Sequence, residues 1–291
     1  IVLPVKAQVP ASDNVLTVSI SPEYPRPYQA VTITPRSTLI DLFASTVTVS
    51  VNGTVVEKGS GSTPVQVQAG AAGARTTITV TAVAPDGQTY RKELVIRPAD
   101  TALIVEPLSS THPFYDGSPL VASEGRVRLV AIPDLRTSAG ALLPASSLVY
   151  TWKNGDQVLQ GLSGVGKSSI VAAAPVRFRD ARVSVTVSTP DNSVVAQASA
   201  LIAPTVPVVR IYQNDPLLGP LFNYALPKSI VMTDEETTFR SVPYFFSNFP
   251  SLDWTVNGTQ SQTGKDITVR SSGGAGTAQL GITARQGEHA Q

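Results

Sequence analysis

An Asn-Gly pair recurs along this chain at a nearly constant interval, and this repeat constrains the fold more than any other feature. The three pairs begin at Asn52, Asn154 and Asn257, which are 102 and 103 residues apart. Asn-Gly between strands of alternating polarity is a strong signal for a tight β-hairpin, because both residues accept the positive φ of a type I′ turn. A period near one hundred residues, with six or seven strands in each unit, is the size of an immunoglobulin-like sandwich. The sequence therefore predicts an all-β fold of three tandem immunoglobulin-like β-sandwich domains.

Short runs in which every second residue is apolar surround these turns. Residues 45–51, 77–83 and 181–187 are examples, and Ser or Thr usually occupies the polar positions. A period of two is typical of half-buried strands, whereas the 3.6-residue period of an amphipathic helix is nearly absent. The pattern between the turns thus supports the all-β prediction.

Short proline-bearing joints separate the predicted sandwiches, at residues 97–100 and 203–207. Joints of this length and composition are too stiff to let domains tumble freely, so we expect a semi-rigid rod. The predicted boundaries are a tail at 1–14, a first domain at 15–99, a second at 100–204 and a third at 205–291.

The third repeat stops short of the strand that closes the first two. Only four residues follow Gly287, whereas long alternating strands follow the matching turns of the other repeats. Either the sequence is a window on a longer chain, or a strand from a neighbouring molecule completes the sheet by donor-strand complementation. Ile1, Leu3 and Val5 alternate as a donor strand requires. Pro4 fits such a strand only where its missing N–H would face solvent.

Residues 1–7 form a short apolar run that ends in Val-x-Ala. The run fits the tail of a secretory signal with a cleavage site after Ala7, and it fits equally well a plain N-terminal strand. The Ser/Thr-rich, charge-poor and cysteine-free composition is typical of a bacterial exported protein, because eukaryotic secreted domains of this size more often carry disulfides. We therefore expect a secreted or cell-surface protein of a bacterial envelope.

The composition excludes most catalytic chemistry. The chain has no Cys and only two His, His112 and His289. These counts exclude a disulfide scaffold, a thiolate zinc site, a cysteine nucleophile and nearly every His-based catalytic arrangement. The net charge of +1 provides no long-range field for nucleic acid or an anionic membrane, and no apolar run reaches the ~18 residues of a membrane span. We predict no enzyme, no cofactor and no metal site, and leave calcium at the joints open.

Residues 161–168, Gly-Leu-Ser-Gly-Val-Gly-Lys-Ser, match the P-loop pattern letter for letter. A P-loop binds phosphate between a buried parallel strand and a helix, whose N-terminal dipole adds to the backbone amides. Here the segment follows a predicted hairpin and leads into another strand, with Pro175 soon after. We interpret it as a loop between strands that binds no nucleotide.

Aromatic residues gather in two proline-rich loops just past the predicted domain junctions, at residues 112–120 and 220–227. Their rings either fill the joint between domains or contact a partner, since aromatic residues on loops are favoured at interfaces. A further run at residues 244–249 shows both faces of a strand, so we expect it to be half core and half contact surface. The candidate contact residues are Phe114, Tyr115, Phe222, Tyr224, Tyr244, Phe246 and Phe249.

Trp152 and Trp254 precede the second and third Asn-Gly pairs, where immunoglobulin-like sandwiches keep their core Trp. We predict that both are buried in the core. Trp152 lies two residues before its Asn and Trp254 lies three before, so we expect one of the two turns to differ in length.

The tandem units, the core Trp and the V-N-G or K-N-G turns resemble bacterial immunoglobulin-like and PKD-like surface repeats over nearly all of residues 15–291. The W-D-F-G-D-G signature of the PKD type is absent. The order of the segments SPEYP, PFYDG, YTWKNG, GKSS, RFRD and PLLG resembles, more narrowly, uncharacterised exported proteins of candidate-phylum bacteria. The resemblance implies export and an envelope setting, and it brings no established activity.

We therefore expect a non-enzymatic extracellular or cell-surface protein with a structural or adhesion role. Two alternatives stay open: a subunit of a surface filament or layer assembled by β-strand complementation, and a carbohydrate-binding accessory rod. The predicted partners are proteins, through self-association or contact with another surface protein, or cell-surface glycans.

Overall fold

A computed structural model describes residues 15–286, except Ser272 and Ala275. The candidate donor residues Ile1, Leu3 and Val5 lie outside the described residues, as does the rest of the predicted tail at 1–14. The described part contains 22 strands and two short 3-10 helices, so the predicted all-β fold of tandem sandwich domains is confirmed.

The first sandwich contains seven antiparallel strands in two sheets. Its three-stranded sheet has the order β1-β2-β5, and its four-stranded sheet has the order β4-β3-β6-β7. Alternate residues such as Ile33, Ile78 and Val80 are fully buried in the core; each contributes about 1.5–3 kcal/mol by leaving water. The strands are β1 Thr17–Ser21, β2 Ala30–Arg36, β3 Thr46–Val51, β4 Thr54–Ser60, β5 Val65–Gln68, β6 Thr76–Val83 and β7 Thr89–Ile96.

The second repeat follows the same strand order. One sheet has the order β13-β9-β8, the other has the order β11-β10-β14-β15, and β12 also pairs with β10. The 3-10 helices are Ala145–Ser147 and Gln160–Leu162. The strands are β8 Asp100–Pro107, β9 Arg126–Asp134, β10 Val149–Asn154, β11 Gln157–Val158, β12 Gly164–Val165, β13 Ser169–Ala173, β14 Ala181–Ser188 and β15 Val195–Ile202.

The third repeat has sheets of order β17-β16-β18-β21 and β20-β19-β22. Its strands are β16 Val208–Asp215, β17 Gly219–Pro220, β18 Glu236–Tyr244, β19 Ser251–Val256, β20 Thr259–Thr263, β21 Asp266–Arg270 and β22 Leu280–Arg285.

Strand β22 is paired on one side only within the described residues. It pairs with β19, whereas its counterpart β6 lies between β3 and β7. Ile282 stands opposite Trp254 as Val80 stands opposite Val49. Val80 is fully buried, but Ile282 is only half-buried. The described part of the third sandwich is thus less covered along this edge than the first.

Two of the three Asn-Gly pairs form the predicted turns. Asn52 and Asn257 have φ of 50° and 51°, and the glycines that follow them have φ of 85° and 79°. Each Asn also ties its hairpin to a strand of the same sheet. The Asn52 N–H donates to the Thr77 carbonyl at 2.8 Å, and its Oδ1 accepts the Thr77 N–H at 2.9 Å. Asn257 makes the same two bonds with Gln279, both at 2.8 Å.

The second turn is shifted by one residue, which corrects the prediction for this pair. Asn154 pairs with Gln157, so Gly155 and Asp156 form the turn, with Gly155 at a φ of 57°. Both hairpins therefore have two-residue turns, and the prediction that one turn differs in length was wrong. Counted to the first turn residue, each Trp lies three positions before its turn.

Both Trp residues are fully buried, as predicted. The Trp152 Nε1–H donates to the Lys167 carbonyl at 2.9 Å, and the Trp254 Nε1–H donates to the Gly264 carbonyl at 3.0 Å. A buried indole N–H without an acceptor would be costly, so these carbonyls complete the environment that each Trp needs.

The described residues form two compact units. The first contains residues up to Leu103 together with Ala131–Ser168 and Ser184–Ser199, and the second contains Ile104–Val130, Ser169–Val183 and the residues from Ala200 onward. The boundaries at 15–99, 100–204 and 205–291, and the semi-rigid rod, stay predictions.

Candidate interaction surface

Strand β18 carries buried apolar side chains on both of its faces near its end at Tyr244. Phe239 belongs to the core around Trp254 and Ile267. The alternate residues of β18 face the other way, where Tyr244 forms a second cluster with Tyr212 of β16. A sheet that is apolar on both faces must be covered on both, so this outer face requires a second layer of side chains.

Residues 112–115, which precede β9, provide that layer together with Phe222. The His112 ring stacks on Phe222 with centroids 4.3 Å apart and planes 5° apart, and it meets Tyr244 edge-on at 5.4 Å. Tyr115 meets Tyr244 edge-on at 5.7 Å and Phe245 at 5.8 Å. Such ring pairs contribute about 0.5–1.5 kcal/mol each beyond the area that they bury. The cluster therefore fixes the segment before β9 on the β18 sheet.

Main-chain hydrogen bonds hold the same segment in place. The Ser110 N–H donates to the Phe246 carbonyl at 2.9 Å, and the Phe245 N–H donates to the Ser110 carbonyl at 2.7 Å. Phe245 has a φ of 62°, a conformation that costs a non-glycine residue about 1–2 kcal/mol. Burial of its ring and the bond to Ser110 offset that cost.

A hydrogen bond between two tyrosines lies inside the cluster. The hydroxyls of Tyr212 and Tyr244 are 2.7 Å apart and both residues are buried. Desolvation raises the pKa of Tyr244 well above its usual value, and the bond to Tyr212 raises it further. A phenol that keeps its proton this strongly does not serve as a base near neutral pH.

His112 is held in its neutral form. Burial lowers the pKa of His112, and the charge of Asp116 opposes this shift only in part. Its Nδ1 accepts the Phe114 N–H at 3.0 Å, which places the proton of the neutral ring on Nε2. His112 therefore acts as a flat aromatic filler between Phe222 and Tyr244.

The structure brings some of the predicted contact residues together and leaves others apart. Tyr115, Phe222 and Tyr244 lie in the cluster, and Phe246 is buried beside it. Phe114 is 74% exposed at the rim, with its ring 6.0 Å from Phe222. The other two predicted residues, Tyr224 and Phe249, are about half-exposed. The Lys265 ammonium lies 4.7 Å from the centroid of the Phe249 ring.

Three aromatic members of the cluster were not among the predicted contact residues, namely His112, Tyr212 and Phe245. Tyr212 lies on the same face of β16 as Val208, but the exposed Arg210 between them breaks the apolar alternation that would have predicted its burial. His112 is the first residue of the aromatic loop at residues 112–120. No local sequence signal predicts that its ring stacks on Phe222, which lies more than one hundred residues away.

Residues 161–168 do not form a P-loop. They contain part of a 3-10 helix and the short strand β12, and β13 follows directly at Ser169. The Gly166 N–H donates to the Leu148 carbonyl at 2.9 Å, and the Lys167 carbonyl accepts the Trp152 indole. The structural role of this segment is thus to provide a hydrogen-bond acceptor for the core residue Trp152.

Within the part of the chain that the structure describes, no three His, Asp or Glu side chains come together in a way that could hold a metal ion. Nor does any helix among residues 15–271, 273–274 and 276–286 have the length and apolarity needed to cross a membrane.

The first repeat is similar in sequence to a known domain family. Residues 5–97 match the family model of the cadherin-like beta sandwich domain. No curated protein matches the chain in sequence.

Solved structures with tandem β-sandwich domains are similar to most of the chain at low identity. The fibronectin(III)-like modules of Clostridium thermocellum CbhA share 11% identity, with 65% of this chain and 95% of theirs covered and a TM-score of 0.30. The central fibronectin-III array of RIM-binding protein shares 12%, covering 94% of each chain at a TM-score of 0.28. A 1.5-MDa bacterial ice-binding adhesin shares 10%, covering 94% and 98% at a TM-score of 0.24. At these scores the likeness carries no functional argument.

The tandem sandwiches and the cadherin-like first repeat fit a structural or adhesion-type extracellular protein. The chain is an all-β protein of tandem sandwich domains, the first of which is similar to the cadherin-like beta sandwich domain.

Proposed function

We propose that this chain is a non-enzymatic surface protein of a bacterial envelope that spaces or attaches other components through its tandem sandwiches. The observation that carries the proposal is the use of its aromatic loops. Tyr115 packs on Tyr244, and Phe222 packs on Tyr212 and on the His112 ring. These contacts fix residues 110–115 on the β18 sheet. Side chains that could have formed an open binding surface instead join successive parts of the chain, as a spacer requires.

The chemistry of the cluster supports the same proposal. Burial raises the pKa of the Tyr244 hydroxyl, and burial lowers the pKa of His112, whose ring is stacked on Phe222. The Arg240 guanidinium is held by two bonds of 2.7 Å to Asp266, which raise the pKa of Arg240. None of these groups is poised to exchange a proton with a substrate near neutral pH.

Surface location is tested by protease shaving of intact cells of the native source, followed by detection with antibodies against the purified chain. We expect the protein to be lost from intact cells while a cytoplasmic control protein survives. Protection in intact cells together with digestion in lysed cells would place the protein inside and overturn the proposal. Turnover in a hydrolase screen of the purified chain would equally contradict it.

A second candidate function is assembly by β-strand complementation, which the half-buried Ile282 on β22 favours. A strand added along β22 would cover the partly exposed apolar side chains of β22, such as Ile282, and would pair the outer backbone groups of this strand. The test is binding of a peptide of residues 1–9 to the purified chain. A peptide with Leu3→Ser and Val5→Ser is the matched control, and the idea is lost if neither peptide binds and the protein stays monomeric.

A third candidate is carbohydrate binding at the rim of the cluster, where Phe114 and Tyr224 are exposed. Exposed rings are the usual stacking platforms for sugars, whereas the buried rings below them are inaccessible. A glycan array should then give a signal that Phe114→Ala and Tyr224→Ala abolish. Phe178→Ala is the control, because Phe178 is 85% exposed in the loop between β13 and β14. Silence of the wild-type chain on the array counts against this candidate.

A further inference from the structure

Two kinds of loop take part in both joints between the repeats: the loop between the first two strands and the loop after the second strand. At the first joint, the Ala99 N–H donates to the Pro25 carbonyl at 3.3 Å, and Arg26 forms an ion pair of 3.1 Å with Asp100. Pro25 and Arg26 lie in the loop between the first two strands, β1 and β2. The chain that enters the next repeat therefore packs on this loop.

A second contact at the first joint comes from the loop after β9. A Cβ on Gly73 would lie 2.6 Å from the Arg136 carbonyl oxygen and 2.5 Å from that of Thr137. Gly73 also has a φ of 76°. The loop after the second strand of the downstream repeat thus lies directly against the upstream repeat, with no room for a side chain between them.

At the second joint, both contacts involve the loop between β8 and β9. The Ser123 N–H donates to the Thr205 carbonyl at 3.0 Å, and the Thr205 N–H donates to the Val121 carbonyl at 2.7 Å, so the loop before β9 holds the chain that enters the third repeat. A Cβ on Gly125 would clash with Ser247 Oγ, in the loop after β18. At both joints, therefore, the loop between the first two strands of the upstream repeat contacts the following repeat. The loop after the second strand of that following repeat in turn contacts the upstream repeat.

The corresponding loop of the first repeat, residues 37–45 after β2, exposes two large apolar side chains. Leu39 is 71% exposed and Phe43 is 76% exposed; we call this pair the Phe43 tip. Asp41 Oδ1 accepts the Phe43 N–H at 2.9 Å. The Phe43 ring also lies over Gly61, where a Cβ would come within 3.0 Å of it. This hydrogen bond and this contact restrain the tip, although its side chains are exposed.

The corresponding loop of the third repeat, between β16 and β18, also exposes apolar side chains. Leu217 is 94% exposed and Leu218 is 79% exposed; we call this pair the Leu217 tip. Asp215 Oδ1 accepts the N–H groups of both leucines, at 2.8 and 2.9 Å. The same bonds lower the pKa of Asp215, so the carboxylate keeps this turn formed at neutral pH. Val231, 89% exposed, lies in the same loop.

We propose that the Phe43 tip of one copy of this chain docks on the Leu217 tip of a second copy, reproducing between molecules the contact that joins the repeats within one. Three features favour a second copy as the partner. The two tips occupy the kinds of loop that contact each other at the second joint; both are apolar, and both are held by an Asp-capped turn, so that little conformational entropy is lost on docking. Clusters of exposed apolar residues commonly mark protein interaction sites.

The contact is heterologous, because different surfaces of the two copies meet. Contacts of this kind are not closed by a two-fold axis, so they generate rings or open head-to-tail chains. Self-association goes beyond the proposed surface role, and a failure of one leaves the other standing. It also differs from strand complementation, since it requires the two loops and no added strand.

Sedimentation velocity of the 291-residue chain over a wide concentration range tests the inference. We expect the weight-average mass of the wild type to rise with concentration from 30.5 kDa past that of a dimer. Leu39→Ser/Phe43→Ser and Leu217→Ser/Leu218→Ser should each remain monomeric on their own. An equimolar mixture of the two variants should form a dimer and nothing larger, because it contains one intact tip of each kind.

The control variant is Val55→Ser/Val165→Ser, which replaces two exposed apolar residues outside both loops; it should associate as the wild type does. All substituted side chains are more than half exposed, so circular dichroism should show an unchanged fold. A wild type that stays monomeric at every concentration overturns the inference. So does a single-tip variant that still associates, or a mixture that stays monomeric.

Discussion

The pair of buried tyrosine hydroxyls in the aromatic cluster allows a sharp prediction of stability. Tyr212→Phe or Tyr244→Phe removes one partner of a 2.7 Å hydrogen bond and leaves the other hydroxyl buried without a protein partner in the described structure. An unsatisfied buried polar group of this kind costs about 1–3 kcal/mol. Each single substitution should therefore lower the free energy of unfolding of this part of the protein by about 1–2 kcal/mol.

The double substitution Tyr212→Phe/Tyr244→Phe should cost less than either single one, because no hydroxyl is then left unpaired. We expect a loss below about 0.5 kcal/mol, which corresponds to a coupling energy of about 2 kcal/mol between the two positions. Tyr224→Phe is the matched control, since Tyr224 is more than half exposed, and its hydroxyl is free to bond to water.

The assay is urea unfolding in a Trp152→Phe background, in which Trp254 reports on the third sandwich. The midpoints of the four chains should fall in the order wild type, double variant, then the two single variants. Losses that simply add in the double variant would refute the reasoning, because they would mean that the two hydroxyls do not bond to each other.

Three further predictions concern other parts of the molecule. Asn52→Ala and Asn257→Ala should each lower the free energy of unfolding by about 1–2 kcal/mol in a denaturant titration. Each substitution removes a side-chain acceptor for a backbone N–H and a residue suited to positive φ. Asn154 lies outside its turn, so Asn154→Ala should lower the free energy of unfolding by less than about 0.5 kcal/mol in the same titration. Since the pKa of His112 is lowered in the fold, the unfolded chain binds the proton more readily, so stability should fall as the pH drops below about 6.5. The fall should be absent from His112→Phe in thermal scans at pH 5 and pH 8, and an equal fall in that variant would assign the effect to other groups. Trp254→Phe should cost about 1–3 kcal/mol by leaving a cavity and an unused Gly264 carbonyl; an unchanged melting temperature of the third sandwich would contradict its place in the core.

The repeat and the alternation were enough to predict the sandwiches, because both are local signals that the structure uses directly. Asn52 and Asn257 adopt the positive φ that their type predicts, and both Trp residues are fully buried. Asn154 deviates because Gly155 can take the first turn position alone, which moves the hairpin by one residue.

The aromatic cluster could be predicted only in part. The run from Tyr244 to Phe246 predicted a strand that shows both faces, and this was wrong, because β18 ends at Tyr244 and Phe245 has a φ of 62°. Nor does the sequence say what covers the outer face of β18. That cover comes from His112 and Tyr115, whose contacts with Phe222 and Tyr244 span more than one hundred residues. The exposure of Leu217 and Leu218 could not be predicted from the sequence either. An apolar pair usually indicates a buried position, and only the structure shows that Asp215 holds these two residues in an exposed turn.

The central claim is that the aromatic loops are structural ties and do not form an open binding surface. Amide hydrogen exchange of the Ser110 and Phe245 N–H groups tests this most directly, since these bonds hold the loop on β18. We predict exchange as slow as that of the core strand amides of β18 and β19, because the bonds open only when the cluster itself opens. Exchange as fast as that of the exposed Leu217 turn would show that the loop moves freely, and it would contradict the claim.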